Sequence, residues 1–264
     1  METVWIILFI LIGTVAGGLQ AIGNRRFDAY IRAREDYDED VDGKMSEKEK
    51  EEFQKRKEAE AKLIRMPVKD IVKERPGRLV CCIALGAVGA AGLVLCHGVN
   101  AATWTLLAFF TVMILISVID LDTMEIPFSL NLVILGLGLI SLLTFRDVAP
   151  FSEITIVSRL IGFVCIGVPL MLINLIRAEA FGGGDIKMMF AAGFLLGWKM
   201  ILIGFLLGTI IGGVVGVIVL ARKAKGGKEH IPFGPSLCAG MAIAVLVGNQ
   251  IIDWYAGMLT PEYY

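Results

Sequence analysis

From Leu79 to Ile119 the chain runs for 41 residues without an Asp, Glu, Lys or Arg. A soluble domain spreads charge over its surface, whereas a hydrocarbon core about 30 Å thick asks for about 20 apolar residues in a helix. This run is two such lengths, and His97-Gly98-Val99-Asn100 near its middle has the composition of a turn. Further charge-free runs are Thr3–Asn24, Ile126–Phe145, Leu160–Ile176, Met188–Trp198, Met200–Ala221 and His230–Ile252. With a turn at Gly197-Trp198-Lys199 this pattern predicts eight spans, of which the sixth (residues 186–198) is short. The fold class expected is all-α, a polytopic membrane protein with a charged, partly helical cytoplasmic loop after its first helix.

The charge is segregated to match. Residues 23–78 hold 31 of the 51 charged side chains, yet the net charge of the whole chain is only −1. That balance gives no support for binding nucleic acid; membrane lipid is the expected surrounding. The organisation expected is a first transmembrane helix at 1–22, a charged loop at 23–78, a seven-helix membrane domain at 79–254 and a short tail at 255–264. Only Met1 and Glu2 precede the first apolar run, so it lacks the basic n-region of a signal peptide and reads as an anchor. Arg25, Arg26, Arg75 and Arg78 flank the polar loop, and Arg222, Lys223, Lys225 and Lys228 crowd the loop after span seven. Both sets fall on one side in an eight-span count, against Arg146, Arg159 and Lys199 on the other. The excess of Lys and Arg on cytoplasmic loops then puts the N-terminus outside.

All five cysteines (Cys81, Cys82, Cys96, Cys165 and Cys238) fall in predicted spans without a CxxC pair, so they read as small packing residues. The acids say more. Asp120 and Asp122 close the third span, and Asp185 opens the sixth after Gly182-Gly183-Gly184. One outward and one returning span separate them, so both ends arrive at one membrane face. Ionisable groups at such a depth are costly and are usually functional. Three consecutive glycines leave room for a substrate backbone beside a carboxylate, at a helix N-terminus with free N–H groups. Two carboxyls meeting there would share a proton and titrate as a unit. The ionised member can take a proton from water while the protonated one polarises a scissile carbonyl, so peptide hydrolysis needs neither a metal nor a nucleophilic side chain.

Two other classes use acids in membrane spans. A proton-coupled transporter component would carry them near the bilayer midplane on inverted repeats. A magnesium-dependent lipid transferase would use Asp120, Asp122 and Asp185 as ligands, with further carboxylates and a phosphate-binding pattern. Neither additional pattern is visible in the sequence.

The ordered set Ile119-Asp120-Leu121-Asp122 with Ile126-Pro127, Gly182-Gly183-Gly184-Asp185-Ile186-Lys187-Met188, Ala192-Gly193 with Leu196-Gly197, and Ile231-Pro232-Phe233-Gly234-Pro235 resembles the prepilin peptidases. These are membrane aspartic proteases of the GxGD type that process type IV prepilins. The resemblance covers residues 79–252, including the 65-residue separation of Asp120 and Asp185. It implies that Asp120 and Asp185 are catalytic, with Asp122 the alternative to Asp120. Gly182 and Gly184 match the motif glycines, and Gly183 lies between them. Lys187 becomes either a cation of the site or a snorkelling lysine; Pro232 and Gly234 either line the cleft or open the last helix. The implied substrate is a prepilin or pseudopilin with a basic leader before a hydrophobic helix, cut at the cytoplasmic face of a bacterial inner membrane. Members commonly methylate the new N-terminus with S-adenosylmethionine. Here the loop at 23–78 lacks the paired CxxC motifs of many bacterial members, which makes methylation the weaker implication.

The polar loop has a pattern of its own. Asp38, Asp40, Asp42 and Glu49, with Gly43 at the sharp turn, follow the spacing of an EF-hand calcium loop. The same stretch also reads as an acidic linker leading into a helix with a Ser46/Glu49 capping box.

Overall fold

A computed structural model describes residues 4–19, 76–146, 148–177, 181–222 and 232–259. The candidate calcium ligands Asp38, Asp40, Asp42 and Glu49 lie outside the described residues, as do Arg25, Arg26 and Arg75. Among the described residues there are helices and no strands. They are α1 (Val4–Leu19), α2 (Pro76–His97), α3 (Ala101–Thr123), α4 (Phe128–Thr144), α5 (Ile156–Cys165), α6 (Gly167–Ile176), α7 (Gly183–Arg222) and α8 (Gly234–Leu259).

Local chemistry sets where these helices stop. Pro76 opens α2, where a missing N–H costs nothing. Gly98, at φ 70°, closes it by returning its N–H to Val94 O at 2.9 Å. Asn100 then caps α3 by accepting from Thr103 N at 2.9 Å, so the turn expected near His97–Asn100 is a C-cap followed directly by an N-cap. Thr155 caps α5 in the same way through Ser158 N. α5 and α6 meet at Ile166 and together form one apolar stretch, Ile156–Ile176, long enough to cross a membrane.

α7 is a helical hairpin rather than one rod. Its 40 residues are interrupted at Gly197, where φ is 75° and ψ 170°. A straight helix of that length would reach about 60 Å, twice a hydrocarbon core. The packing shows which way each half runs. Gly184 touches Ile126 and Gly138 touches Phe194 and Leu195, so residues 183–196 (α7a) run parallel to α4. Gly204, Gly208 and Gly212 then meet Met241, Leu237 and Phe233 in descending order, so residues 198–222 (α7b) run antiparallel to α8. With this reversal, the described helices make eight passes. The ends of α3 and α6 and the starts of α2, α4, α7 and α8 share one face.

The reversal strands the carbonyls that close α7a, and a buried cation takes them. Arg159 of α5, 2% exposed, donates to Phe194 O at 3.2 Å and Leu195 O at 3.1 Å, and to Ser141 Oγ at 2.6 Å. Its guanidinium lies 5.5 Å from the centre of the Phe145 ring. The sequence pattern reads Arg159 as a loop charge. The structure instead makes it the C-terminal cap of a neighbouring helix, where a cation also complements the helix dipole.

α3 is the central helix. Phe109, Met113, Ile116 and Ile119 are buried along it, and Phe9 of α1 is fully buried with its ring 4.6 Å from Trp104. α1 lies against α2 through Gly13 and Gly17, where any side chain would strike Gly86, Ala90 and the Cys82 carbonyl. Such small-residue contact allows close helix approach where no hydrophobic effect drives it. The outer surface is apolar: Val88, Leu95, Leu143, Leu175, Ile176, Val217 and Leu220 are all exposed. Water would disfavour a belt of this extent; lipid suits it.

Candidate active site

Asp120 sits in the last turn of α3 and Asp185 in the first turn of α7, 5% and 9% exposed respectively. Both line one cavity of about 200 Å³, together with Met124, Glu125, Ile126, Gly182, Gly183 and Gly184. The connection from α3 to α4 forms one wall. Met124 takes the left-handed conformation (φ 57°, ψ 25°) and returns its N–H to Asp120 O at 2.8 Å, ending α3 just beyond the acid. The polypeptide then turns through Glu125 into Ile126-Pro127 and starts α4.

Glycine backbone comes close to each carboxyl. Asp120 Oδ2 accepts from Gly234 N at 2.9 Å, at the start of α8. A Cβ on Gly234 would sit 2.6 Å from that oxygen. A Cβ on Gly182 would stand 2.9 Å from Asp185 Oδ2, and one on Gly184 2.8 Å from Ile126 Cβ. Gly183 faces open space within 4 Å. The three glycines therefore differ: Gly182 makes room for the carboxyl, Gly184 brings α7 against the α3–α4 connection, and Gly183 leaves an open wall. Asp185 Oδ1 is buried with no hydrogen-bond partner among the described residues. A buried polar atom without a partner is costly and suits a group that receives its partner from a substrate or water.

Asn174 of α6 anchors the glycine run. It donates from Nδ2 to Phe181 O and accepts from Phe181 N, both at 2.7 Å. Glu125, on the cavity wall, and Asn174 both escaped the sequence reading. Glu125 had a signal in its place between Asp120 and Ile126-Pro127, whereas Asn174 had none, because its partner lies across a turn.

The remaining expected residues stand further out. Lys187 is exposed, with Nζ 5.4 Å from the centre of the Phe128 ring, and is not among the cavity-lining residues. Pro232 precedes α8 and is also outside the lining set. Asp122 turns away from the cavity: its carboxylate lies 2.6 Å from the Arg78 guanidinium of α2. The three acids at 120, 122 and 185 therefore do not converge, as a shared magnesium site would require.

The fold and this cavity define a class: a polytopic helical membrane protein with two buried acids brought together at one end of its bundle. The comparisons make this more specific. Residues 107–217, from within α3 to within α7b, match the type IV leader peptidase family. The chain is 35% identical over 155 residues to a prepilin leader peptidase/N-methyltransferase of Legionella pneumophila, covering 58% of this chain and 53% of that protein. It is 29% identical over 165 residues to a protein of that name from Bacillus subtilis (strain 168), covering 61% and 62%. With one from Stutzerimonas stutzeri it shares 34% over 154 residues, covering 58% and 50%. The chain thus spans between half and just over three fifths of these curated relatives. No solved structure matches it.

Proposed function

We propose that this protein is a membrane aspartic endopeptidase that removes the leader from type IV prepilins or pseudopilins, with Asp120 and Asp185 as its catalytic pair. The observation that carries this reading is the convergence of two acids, 65 residues apart, on one small cavity walled by glycine. Two carboxyls in so confined a space hold one proton between them more cheaply than two charges. The Gly234 N–H bond suits Asp120 to the ionised role, and Asp185 carries the proton. Asp120 takes a proton from water as the water oxygen attacks the scissile carbonyl carbon, and Asp185 gives its proton to the carbonyl oxygen. The resulting gem-diol collapses, returning one hydroxyl proton to Asp185. The C–N bond breaks as Asp120 passes its proton to the leaving amine. Gly183 leaves the open side along which an extended substrate backbone can approach.

The basic residues support a cytoplasmic site. Arg78 and Arg222 stand at helix ends on the face that bears the acids, and basic loops favour the cytoplasm. The N-terminus is then extracytoplasmic, in a bacterial inner membrane. The relatives' names also include N-methyltransferase. Methylation is the weaker implication of the sequence, because the loop at 23–78 lacks the paired CxxC motifs of many bacterial members. The proposal is therefore limited to cleavage.

Co-expression with a leader-bearing pilin precursor tests it, comparing the wild type with Asp120→Asn and Asp185→Asn. Both variants should accumulate in the membrane and leave the precursor uncut. Processing by either at the wild-type rate would remove the pair from the mechanism.

A further inference from the structure

Asp120 and Asp122 stand two residues apart on one helix and have different partners. Asp120 faces the cavity, and Asp122 faces α2. Arg78, in the first turn of α2, reaches two groups of α3 at once: its Nη1 lies 2.6 Å from Asp122 Oδ2, and its Nη2 donates to Val118 O at 2.9 Å. The two acceptors bracket Asp120, two residues before it and two residues after.

Helix chemistry explains why that turn needs outside help. The C-terminal end of a helix carries partial negative charge. α3 brings two acids to this end and has no basic residue in its last turn. Arg78 supplies the missing cation from another helix. A guanidinium can do so with a fixed fork that engages a carbonyl and a carboxylate together, where lysine offers a compact point charge. Past this turn the chain enters the Met124 left-handed cap, so Arg78 from α2 joins the Gly234 N–H from α8 in holding the last turn of α3 beside the cavity.

We infer that Arg78, acting through Asp122 and the Val118 carbonyl, is a positioning residue that sets where the Asp120 carboxyl stands in the cavity. This inference rests on the peptidase reading above. It assigns Asp122 to holding the site rather than to the chemistry.

The test uses the full-length protein in detergent or nanodiscs, with the leader-bearing pilin precursor as substrate and kcat and KM measured separately. A misplacement of about 1 Å at a reacting group costs up to about 100-fold in rate, so Arg78→Gln should lower kcat by about 10- to 100-fold with KM unchanged. Arg78→Lys keeps the charge but loses the fork and should fall between the two. The exchange Arg78→Asp with Asp122→Arg should recover part of the kcat lost by either reversal alone. A merely structural role would move thermal unfolding without this recovery or the kcat-specific loss. Should Arg78→Gln fail to fold, Arg78→Lys decides alone. A wild-type kcat in the folded variant, or a rise in KM with kcat intact, overturns the inference. Asp120→Asn is assayed beside them. If it is inactive while Arg78→Gln turns over normally, only the clamp is wrong; if it is active, the peptidase reading falls and the clamp with it.

Discussion

Replacing Gly234 with alanine should disable the site through a single methyl group. The added Cβ would lie 2.6 Å from Asp120 Oδ2, 3.0 Å from its Cγ and 3.3 Å from its Cβ. Ordinary contact between such atoms is about 3.5 Å, so the carboxyl or the start of α8 must give by close to an ångström. The Asp120 side chain cannot retreat freely, because it is buried at the end of a helix held by the Met124 cap. Moving α8 would instead stretch the 2.9 Å bond from Gly234 N to Asp120. Either response displaces the proposed base, and a shift of about 1 Å corresponds to about a 100-fold loss of rate. Overpacking of this kind typically costs about 1–3 kcal/mol of stability. Purified Gly234→Ala should therefore remain folded, with a loss concentrated in kcat. Gly183→Ala is the internal control: nothing lies within 4 Å of its added carbon, so it should fold as the wild type does, and any effect should appear in KM. A wild-type kcat for Gly234→Ala would refute the idea that Asp120 must stand where it does.

Two further outcomes follow from the same geometry. If the pair works with one shared proton, kcat against pH should be bell-shaped: acid protonates the base, and alkali removes the proton that the carbonyl needs. A profile with a single limb would count against two cooperating carboxyls. Arg159→Ala should leave the carbonyls of Phe194 and Leu195 without their cap, together with a cavity beside Ser141. Each buried acceptor left without a donor costs about 1–3 kcal/mol, so its thermal unfolding in detergent should drop well below that of the wild type. An unchanged midpoint would mean that the reversal at Gly197 holds without Arg159.

Much of the fold was legible because hydrocarbon imposes a harsh filter on sequence. The charge-free runs located the helices, and the weak turn signal at Gly197-Trp198-Lys199 coincides with the reversal, since only glycine enters φ 75° without strain. The run from Leu160 understated one span: α5 begins at Ile156, before the first charge-free residue, because Arg159 is buried rather than excluded. A periodicity argument counts a charge as an end of the membrane segment. It has no means of knowing that carbonyls on another helix have been left open to receive it.

The same distinction runs through the site. Sequence alone determined the eight passes, the common face of Asp120 and Asp185, and the need for small residues before Asp185, because span count and residue size are properties of the linear chain. Only the tertiary structure turned Asp120 into the cavity, paired Asp122 with Arg78, brought Gly234 N to 2.9 Å from Asp120 Oδ2 and put Glu125 on the cavity wall. Those outcomes depend on how helices rotate and stack against one another. Two acids two residues apart on one helix point to nearly opposite sides of it, and which side meets the cavity is settled only when one neighbouring helix offers a guanidinium and another a backbone N–H.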